Sequence, residues 1–202
     1  MVDVARVMRI ALALEPPTVV AVARALDALS VRWAIGGSLA SAAHVEPRAT
    51  NDVDVIAMLT ENEARHLVGE LGADFYADAD AAADAVRRRS SFNIIDNRSF
   101  LKNDVFVPGG GPLGAGQLDR LQMLEIFPGF RELPVLVAED VVLQKLPWYR
   151  LGGGVSDRQW RDIVSVLRIS GPAIDQGYLD EVASPEGLSE LLERARADAN
   201  DC

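Results

Sequence analysis

The feature that most limits the fold of this chain is a short alternating segment that carries two carboxylates. Asp52 and Asp54 alternate with the apolar residues Val53, Val55 and Ala57. Period-two alternation is typical of a β-strand with one buried face, and residues i and i+2 of a strand point to the same side. The segment therefore predicts a strand that presents two neighbouring carboxylates on one face.

A glycine turn precedes this strand. A β-like run, residues 31–35, is followed by Gly36, Gly37 and Ser38, and thirteen residues then separate Ser38 from Asp52. Glycine allows backbone N–H groups to approach a ligand closely, and Ser38 can cap a helix whose N-terminus favours anions. The turn predicts a phosphate cradle that faces the two carboxylates.

The charge of the carboxylate pair predicts a bound cation. Adjacent carboxylates raise each other's pKa when no cation lies between them, and Mg²⁺ prefers oxygen ligands. We therefore expect Mg²⁺, or Mn²⁺, at Asp52 and Asp54. Asp104 opens a later alternating run, residues 105–107. It is expected to complete the metal site and to accept a proton from an attacking hydroxyl.

The composition indicates a globular protein with an acidic surface. Hydrophobic residues make up 49% of the 202 residues, and the formal net charge is -10. An acidic chain repels phosphate at long range, so no extended DNA-binding surface is expected. The one cysteine, Cys202, cannot form an intramolecular disulfide. No apolar run approaches the roughly 20 residues of a membrane helix, and we expect a cytoplasmic protein with no membrane partner.

The order of elements predicts an α/β fold. We expect a mixed sheet of about four or five strands flanked by helices in residues 1–137, and a helical C-terminal part in residues 138–202 that packs on this core. The glycine-rich residues 109–116 are the expected mobile segment. The predicted strands are residues 31–35, 53–57, 92–95, 105–107 and 135–137.

A second Asp-x-Asp sequence serves as an internal comparison. Asp78 and Asp80 have the spacing of Asp52 and Asp54, but they lie at an alanine-rich helical stretch with no glycine turn before it. We interpret this second pair as the solvated start of a helix. Spacing alone is therefore a weak signal, and the glycine turn is what makes the first pair specific.

The glycine-serine turn, the spacer, the Asp-x-Asp strand and the later strand aspartate together resemble the signature of nucleotidyltransferases of the DNA polymerase β-like superfamily. The resemblance covers about residues 31–107. It implies a nucleotidyltransferase fold and transfer of a nucleoside monophosphate from a triphosphate such as ATP to a hydroxyl or phosphate acceptor. It also implies a catalytic and metal-binding set of Asp52, Asp54 and Asp104.

A second resemblance covers residues 139–167. These residues are similar to the C-terminal helices of minimal bacterial nucleotidyltransferases and, more distantly, of abortive-infection type toxin nucleotidyltransferases. The resemblance implies that Lys145 contacts the triphosphate and that Asp162 holds Lys145 in place. The alternative is that Lys145 is exposed and Asp162 pairs with Arg158 on its own helix.

The sequence also predicts the positions of two further sets of residues. Arg48 and Thr50 lie just before the carboxylate strand, where they are expected at the mouth of the nucleotide site. The aromatic residues Trp148, Tyr149 and Trp160 are expected to pack between helices.

Three functions remain open at this point. The first is a nucleotidyltransferase that acts on a small molecule, tRNA or protein. The second is a toxin-like enzyme of a toxin–antitoxin pair that modifies tRNA or protein, and the third is a catalytically inactive module that binds a nucleotide or a partner. The three strand carboxylates argue against the third, because a binding module has no need of such a charge cluster.

Overall fold

A mixed seven-stranded sheet forms the centre of the molecule. The computed structural model describes residues 16–44, 52–127 and 129–201. The strand order in the sheet is β3-β4-β5-β2-β1-β7-β6. The strands are β1 (Trp33–Ile35), β2 (Asp52–Ala57), β3 (Phe75–Tyr76), β4 (Ser91–Asp96), β5 (Lys102–Phe106), β6 (Leu121–Leu124) and β7 (Leu133–Leu136).

Eight α-helices accompany the sheet within the described residues. Helix α3 contacts α1 and α4, whereas α5 contacts α2, α6 and α7. In the described part of the chain, no helix has both the length and the apolar character needed to cross a membrane. The helices are α1 (Pro16–Ala28), α2 (Gly37–His44), α3 (Glu61–Leu71), α4 (Ala79–Arg88), α5 (Ala138–Leu151), α6 (Asp157–Ser170), α7 (Gln176–Ala183) and α8 (Ser189–Asn200).

The sheet confirms the predicted α/β class but has more strands than the four or five expected. The five predicted strands are the five central ones, and the two that were missed, β3 and β6, lie at the edges. Strand β3 has only two residues and pairs with β4, and β6 is a Leu-Gln-Met-Leu segment that pairs with β7. Neither segment is rich in β-branched residues, so pairing with a neighbour determines their conformation more than local propensity does.

The centre of the sheet brings the two predicted carboxylate strands together. Strands β2 and β5 are parallel neighbours, and Asp54 lies directly opposite Asp104. Val53 and Val55 point to the other face, where both are buried. Strand β1 is antiparallel to β2 on its other side, and its last residue, Ile35, lies opposite Val55. This register places the glycine turn after β1 beside the carboxylates.

Polar side chains define where several helices begin. Thr60 and Glu63 form a reciprocal capping box at the start of α3, which satisfies backbone N–H groups that a helix leaves without a partner. Asp78 caps α4 by accepting hydrogen bonds from the N–H groups of Asp80 and Ala81. The second Asp-x-Asp sequence is therefore a helix start, as predicted.

The glycine-rich residues 109–116 close on themselves. The N–H of Ala115 donates to the carbonyl of Gly109 at 2.9 Å, and the N–H groups of Gly114 and Gly116 donate to the carbonyl of Gly111 at 3.1 and 3.0 Å. These bonds make the segment a compact turn. That it is mobile stays a prediction.

Helices α5 and α6 are joined by a short connector that is held at both ends. The Tyr149 hydroxyl donates to the carbonyl of Gly154 at 2.5 Å, and the rings of Tyr149 and Trp160 lie 4.8 Å apart. Ser156 caps α6 through the N–H of Gln159. The interhelical packing predicted for Tyr149 and Trp160 is therefore present.

A buried charge cluster anchors the start of α5. Asp140 is fully buried and accepts a hydrogen bond from the hydroxyl of Tyr178 on α7 at 2.9 Å. The guanidinium of Arg120 stacks 3.7 Å from the centre of the Tyr178 ring and lies near the carboxylates of Asp140 and Glu139. Burial raises the pKa of Asp140 to about 7, opposed by the Tyr178 hydroxyl and by Arg120.

The raised pKa of Asp140 makes stability dependent on pH. The folded state holds the proton of Asp140 up to about pH 7, whereas an ordinary Asp releases it near pH 3.9. The free energy of unfolding should therefore fall between about pH 4 and pH 7, because the unfolded chain releases this proton first. In Asp140→Asn this fall should be absent, which urea denaturation across this range would measure.

The control for this variant is Asp180→Asn, which removes an exposed carboxylate from the same helix as Tyr178. Its pH profile should resemble that of the wild type. Identical profiles for the wild type and Asp140→Asn would contradict the prediction.

Candidate active site

One cavity of about 410 Å³ lies where the carboxylate strand, the glycine turn and helices α5 and α6 meet. Both predicted carboxylates of β2 and the predicted Lys145 and Asp162 line it, although these residues are far apart in the chain. The lining residues are Gly37, Ser38, Asp52, Asp54, Phe106, Gln144, Lys145, Trp148, Ser156, Arg158, Gln159 and Asp162.

The glycine turn packs directly against Asp54. Gly37 has a positive φ of 55°, and a Cβ atom at this position would overlap the Asp54 carboxylate. The backbone N–H of Ser38 donates a hydrogen bond to that carboxylate. The N–H of Gly37 donates to Oε1 of Gln144 at 3.2 Å. Helix α2 can thus begin against the carboxylate strand only because residue 37 has no side chain.

The three predicted cradle residues have different surroundings. The N–H of Gly36 donates to the carbonyl of Asp54 at 2.9 Å and so extends the pairing between β1 and β2. Gly37 and Ser38 line the cavity, and they belong to the first turn of α2. A phosphate at this end of the cavity would therefore meet the start of α2 rather than Gly36.

Asp54 lies in a strongly negative environment. Burial is the main cause of its raised pKa, and the charges of Asp52 and Asp104 raise it further. The Ser38 N–H and the ammonium of Lys145 act in the opposite direction. Burial and the two neighbouring carboxylates both disfavour the charged form of Asp54, and a bound cation would offset this.

Asp104 faces the same side of the sheet as Asp54 and forms an ion pair with Lys102. The Lys102 Nζ lies 2.6 Å from Oδ2 of Asp104, and this hydrogen bond is the main cause of the raised pKa of Lys102. Within residues 16–44, 52–127 and 129–201, no three acidic, histidine or cysteine side chains are arranged as a ready metal site. The metal-binding role of Asp52, Asp54 and Asp104 stays a prediction.

Lys145 and Asp162 form the ion pair that the helical resemblance implies. The Lys145 Nζ donates to Oδ2 of Asp162 at 3.0 Å, and both side chains are about nine-tenths buried. The alternative in which Lys145 is exposed is therefore wrong. Arg158, which is on the same helix as Asp162 and one turn earlier, also lines the cavity and adds a second positive charge.

The structure adds site residues that sequence reasoning did not identify. Gln144 and Trp148 lie on α5 on either side of Lys145, and Phe106 ends β5 two residues after Asp104. Trp148 was expected to pack between helices, but it is 53% exposed at the cavity. Its position three residues after Lys145, on the same side of the helix, is the signal that could have placed it in the site. Arg48 and Thr50 lie outside the described residues.

Two solved structures are similar to this chain. One is an antigenic nucleotidyltransferase-like protein from Paracoccidioides brasiliensis, with 20% identity and a TM-score of 0.56 over 90% of this chain and 91% of that one. The other is the antibiotic-resistance factor ANT(2'')-Ia, with 14% identity and a TM-score of 0.54 over 88% of this chain and 94% of that one. No protein-family model and no curated protein matches the sequence. The similarity establishes a shared nucleotidyltransferase fold.

The contact between Gly37 and Asp54 predicts a large cost for the smallest side chain. Gly37→Ala places a methyl group on the carboxylate and a side chain at positive φ, so it should lower the free energy of unfolding by about 2 kcal/mol or more. Chemical denaturation would measure the loss. The control is Gly69→Ala in α3, where a methyl group meets nothing within 4 Å and should stabilise by roughly 0.5–1 kcal/mol. Equal stability of Gly37→Ala and wild type would refute the contact.

Proposed function

We propose that this chain is a nucleotidyltransferase that moves a nucleoside monophosphate from a nucleoside triphosphate to a hydroxyl or phosphate acceptor, with Mg²⁺ or Mn²⁺ as cofactor. The observation that carries the proposal is the single cavity that contains Asp52 and Asp54, the start of α2, and the buried pair of Lys145 and Asp162. The shared fold with nucleotidyltransferases supports it.

The positive groups of the cavity suit a triphosphate. The start of α2 at Gly37 and Ser38 provides the positive end of a helix. Lys145 is a compact ammonium that can follow a phosphate as it moves, and Asp162 fixes its position. Arg158 offers a planar guanidinium on the same wall. These groups and the carboxylates of Asp52 and Asp54 line the same cavity, so an anionic ligand and a cation would occupy neighbouring positions.

The carboxylates fit a divalent cation. Burial and the charges of Asp52 and Asp104 raise the pKa of Asp54, and carboxylate oxygens are the ligands that Mg²⁺ prefers. In the proposal Asp52, Asp54 and Asp104 hold the cation. A bound Mg²⁺ supplies positive charge that offsets the carboxylates and polarises the phosphate oxygens.

The proposed reaction is an in-line substitution at the α-phosphorus. The acceptor oxygen forms a bond to this phosphorus, while the bond from phosphorus to the bridging oxygen of pyrophosphate breaks. Pyrophosphate leaves with the electron pair of that bond. When the acceptor is a hydroxyl, its proton passes to Asp104. Lys145 is placed to stabilise the charge on the departing pyrophosphate.

The charge of the chain favours some acceptors over others. A net charge of -10 disfavours long polyanions such as tRNA and favours neutral or cationic small molecules. The similarity in fold to an antibiotic-resistance factor is consistent with a small acceptor. The toxin-like enzyme and the inactive binding module stay hypotheses, and the acceptor assay below distinguishes them.

Label transfer tests the activity itself. The protein would be incubated with Mg²⁺ and each triphosphate labelled at the α-phosphate, together with separate pools of small molecules, cell RNA and cell protein. The expected result is label in the small-molecule pool and release of pyrophosphate. Label in RNA or protein would favour the toxin-like alternative. If the protein binds a nucleotide but transfers no label to any pool, the result would favour the catalytically inactive binding module.

The carboxylate pair is expected to couple nucleotide binding to the cation. A triphosphate with Mg²⁺ at 100 times its Kd should stabilise the wild type by about 2.7 kcal/mol, a shift of several degrees in Tm. Asp52→Asn combined with Asp54→Asn should remove this shift, because amides bind Mg²⁺ poorly. The matched control is Asp78→Asn with Asp80→Asn, which makes the same change of charge at the helix start. An unchanged shift in the first double variant would refute the assignment.

Lys145 is expected to contribute directly to nucleotide affinity. Lys145→Ala removes a charge-assisted contact and should weaken triphosphate binding at least tenfold by isothermal titration calorimetry. The control is Arg161→Ala, which removes an exposed positive charge beside Asp162 on the same helix. Unchanged affinity in Lys145→Ala would show that the buried ion pair is structural only.

A further inference from the structure

A second cavity of about 310 Å³ adjoins the first. The two share Phe106, Gln144 and Trp148 as walls. The second cavity extends along the carboxylate face of the sheet, because Ile56 follows Asp54 by two residues on β2. Its lining residues are Ile56, Phe106, Val107, Pro108, Leu113, Gln117, Leu143, Gln144, Pro147, Trp148 and Leu151.

The walls of the second cavity differ in chemistry from those of the first. Nine of its eleven lining residues are apolar, and the other two, Gln117 and Gln144, carry amides. The rings of Phe106 and Trp148 meet edge to face with centroids 6.4 Å apart. Among the described residues, no charged side chain lines the cavity. A ligand that fits it has flat apolar faces and carries its polar atoms at an edge.

One polar group in this cavity has no partner. Gln117 is 1% exposed, and its amide nitrogen makes no hydrogen bond to any described residue. A buried donor without a partner costs free energy unless a ligand or water accepts its hydrogen bond. The compact turn of residues 109–116 leads into Gln117 and contributes Leu113 to the wall.

We propose that the second cavity binds the nucleobase of the nucleoside triphosphate, with the base against Phe106 and Trp148 and the amide of Gln117 donating a hydrogen bond to a ring nitrogen or carbonyl oxygen at the edge of the base. This inference rests on the proposed nucleotidyl transfer. A base is planar and aromatic, so its faces suit these walls, and its polar atoms lie only at its edge. The triphosphate would extend from it into the adjoining carboxylate cavity.

Other occupants fit the walls less well. An acceptor with many hydroxyl groups would leave most of them without hydrogen bonds among nine apolar residues, at a cost for each. A macromolecular acceptor is too large for about 310 Å³. A nucleobase meets both limits and places its own polar edge where the single unpaired donor lies.

The test compares ligands that share phosphates but differ in the base. Isothermal titration calorimetry in Mg²⁺ would measure ATP, GTP, CTP and UTP against inorganic tripolyphosphate. The wild type is expected to bind at least one nucleoside triphosphate at least tenfold more tightly than tripolyphosphate. If neither tripolyphosphate nor any nucleoside triphosphate binds, the proposed function fails and this inference fails with it.

Variants then locate the base. Gln117→Leu removes the buried donor and keeps the shape, so it should fold normally while weakening the preferred triphosphate about fivefold. Trp148→Ala should weaken it about tenfold, and Trp148→Phe, which keeps an aromatic face, should restore most of the affinity. Neither change should alter the affinity for tripolyphosphate. The matched controls are Gln122→Leu on β6 and Phe100→Ala, which lie outside both cavities.

Two results would overturn the inference while leaving the proposed function in place. The first is equal affinity of the wild type for tripolyphosphate and for all four nucleoside triphosphates. The second is base-dependent binding that Gln117→Leu and Trp148→Ala leave unchanged, which would assign the second cavity to another ligand, such as an apolar acceptor.

Discussion

The crowding of carboxylates at the centre of the sheet is the constraint on which the rest of the site depends. Parallel pairing of β2 and β5 sets Asp54 opposite Asp104, with Asp52 two residues away. Lys102, Lys145 and the N–H of Ser38 counter this charge, and each comes from a different element. The sheet order, the start of α2 and the position of α5 must therefore all be correct for the charges to be tolerated.

Helix α5 joins the two halves of the cleft. Its residues Gln144 and Trp148 belong to both cavities, and Lys145 between them faces the carboxylates. The helix is held at its first turn by the buried cluster around Asp140 and in its middle by the pair with Asp162. Anchoring at two points keeps the distance between the charged cavity and the apolar cavity constant. This suits a ligand that is charged at one end and aromatic at the other.

Sequence reasoning succeeded where a residue's role is determined locally. The alternation in β2 and the helix start at Asp78 are local signals, and the structure contains both features. Strand β6 was missed because pairing with β7 rather than composition makes it a strand. Trp148 was misassigned because the exposed side of a helix depends on what packs against it, and Gln144 has no sequence signal that distinguishes it from a surface glutamine.

Because Gly37 lies so close to Asp54, the residue at position 54 limits which residues can occupy position 37 in related proteins. A relative that keeps an aspartate or asparagine at position 54 cannot accept a side chain at position 37, because the space is already filled. A relative that replaces residue 54 with alanine or serine loses that steric barrier, although the positive φ still favours glycine. The two positions should therefore covary, and a lineage that retains both strand aspartates but not this glycine must have rebuilt the turn. A glycine at position 37 thus indicates which related proteins keep the turn packed against the carboxylate of residue 54, although this glycine contributes no reactive atom.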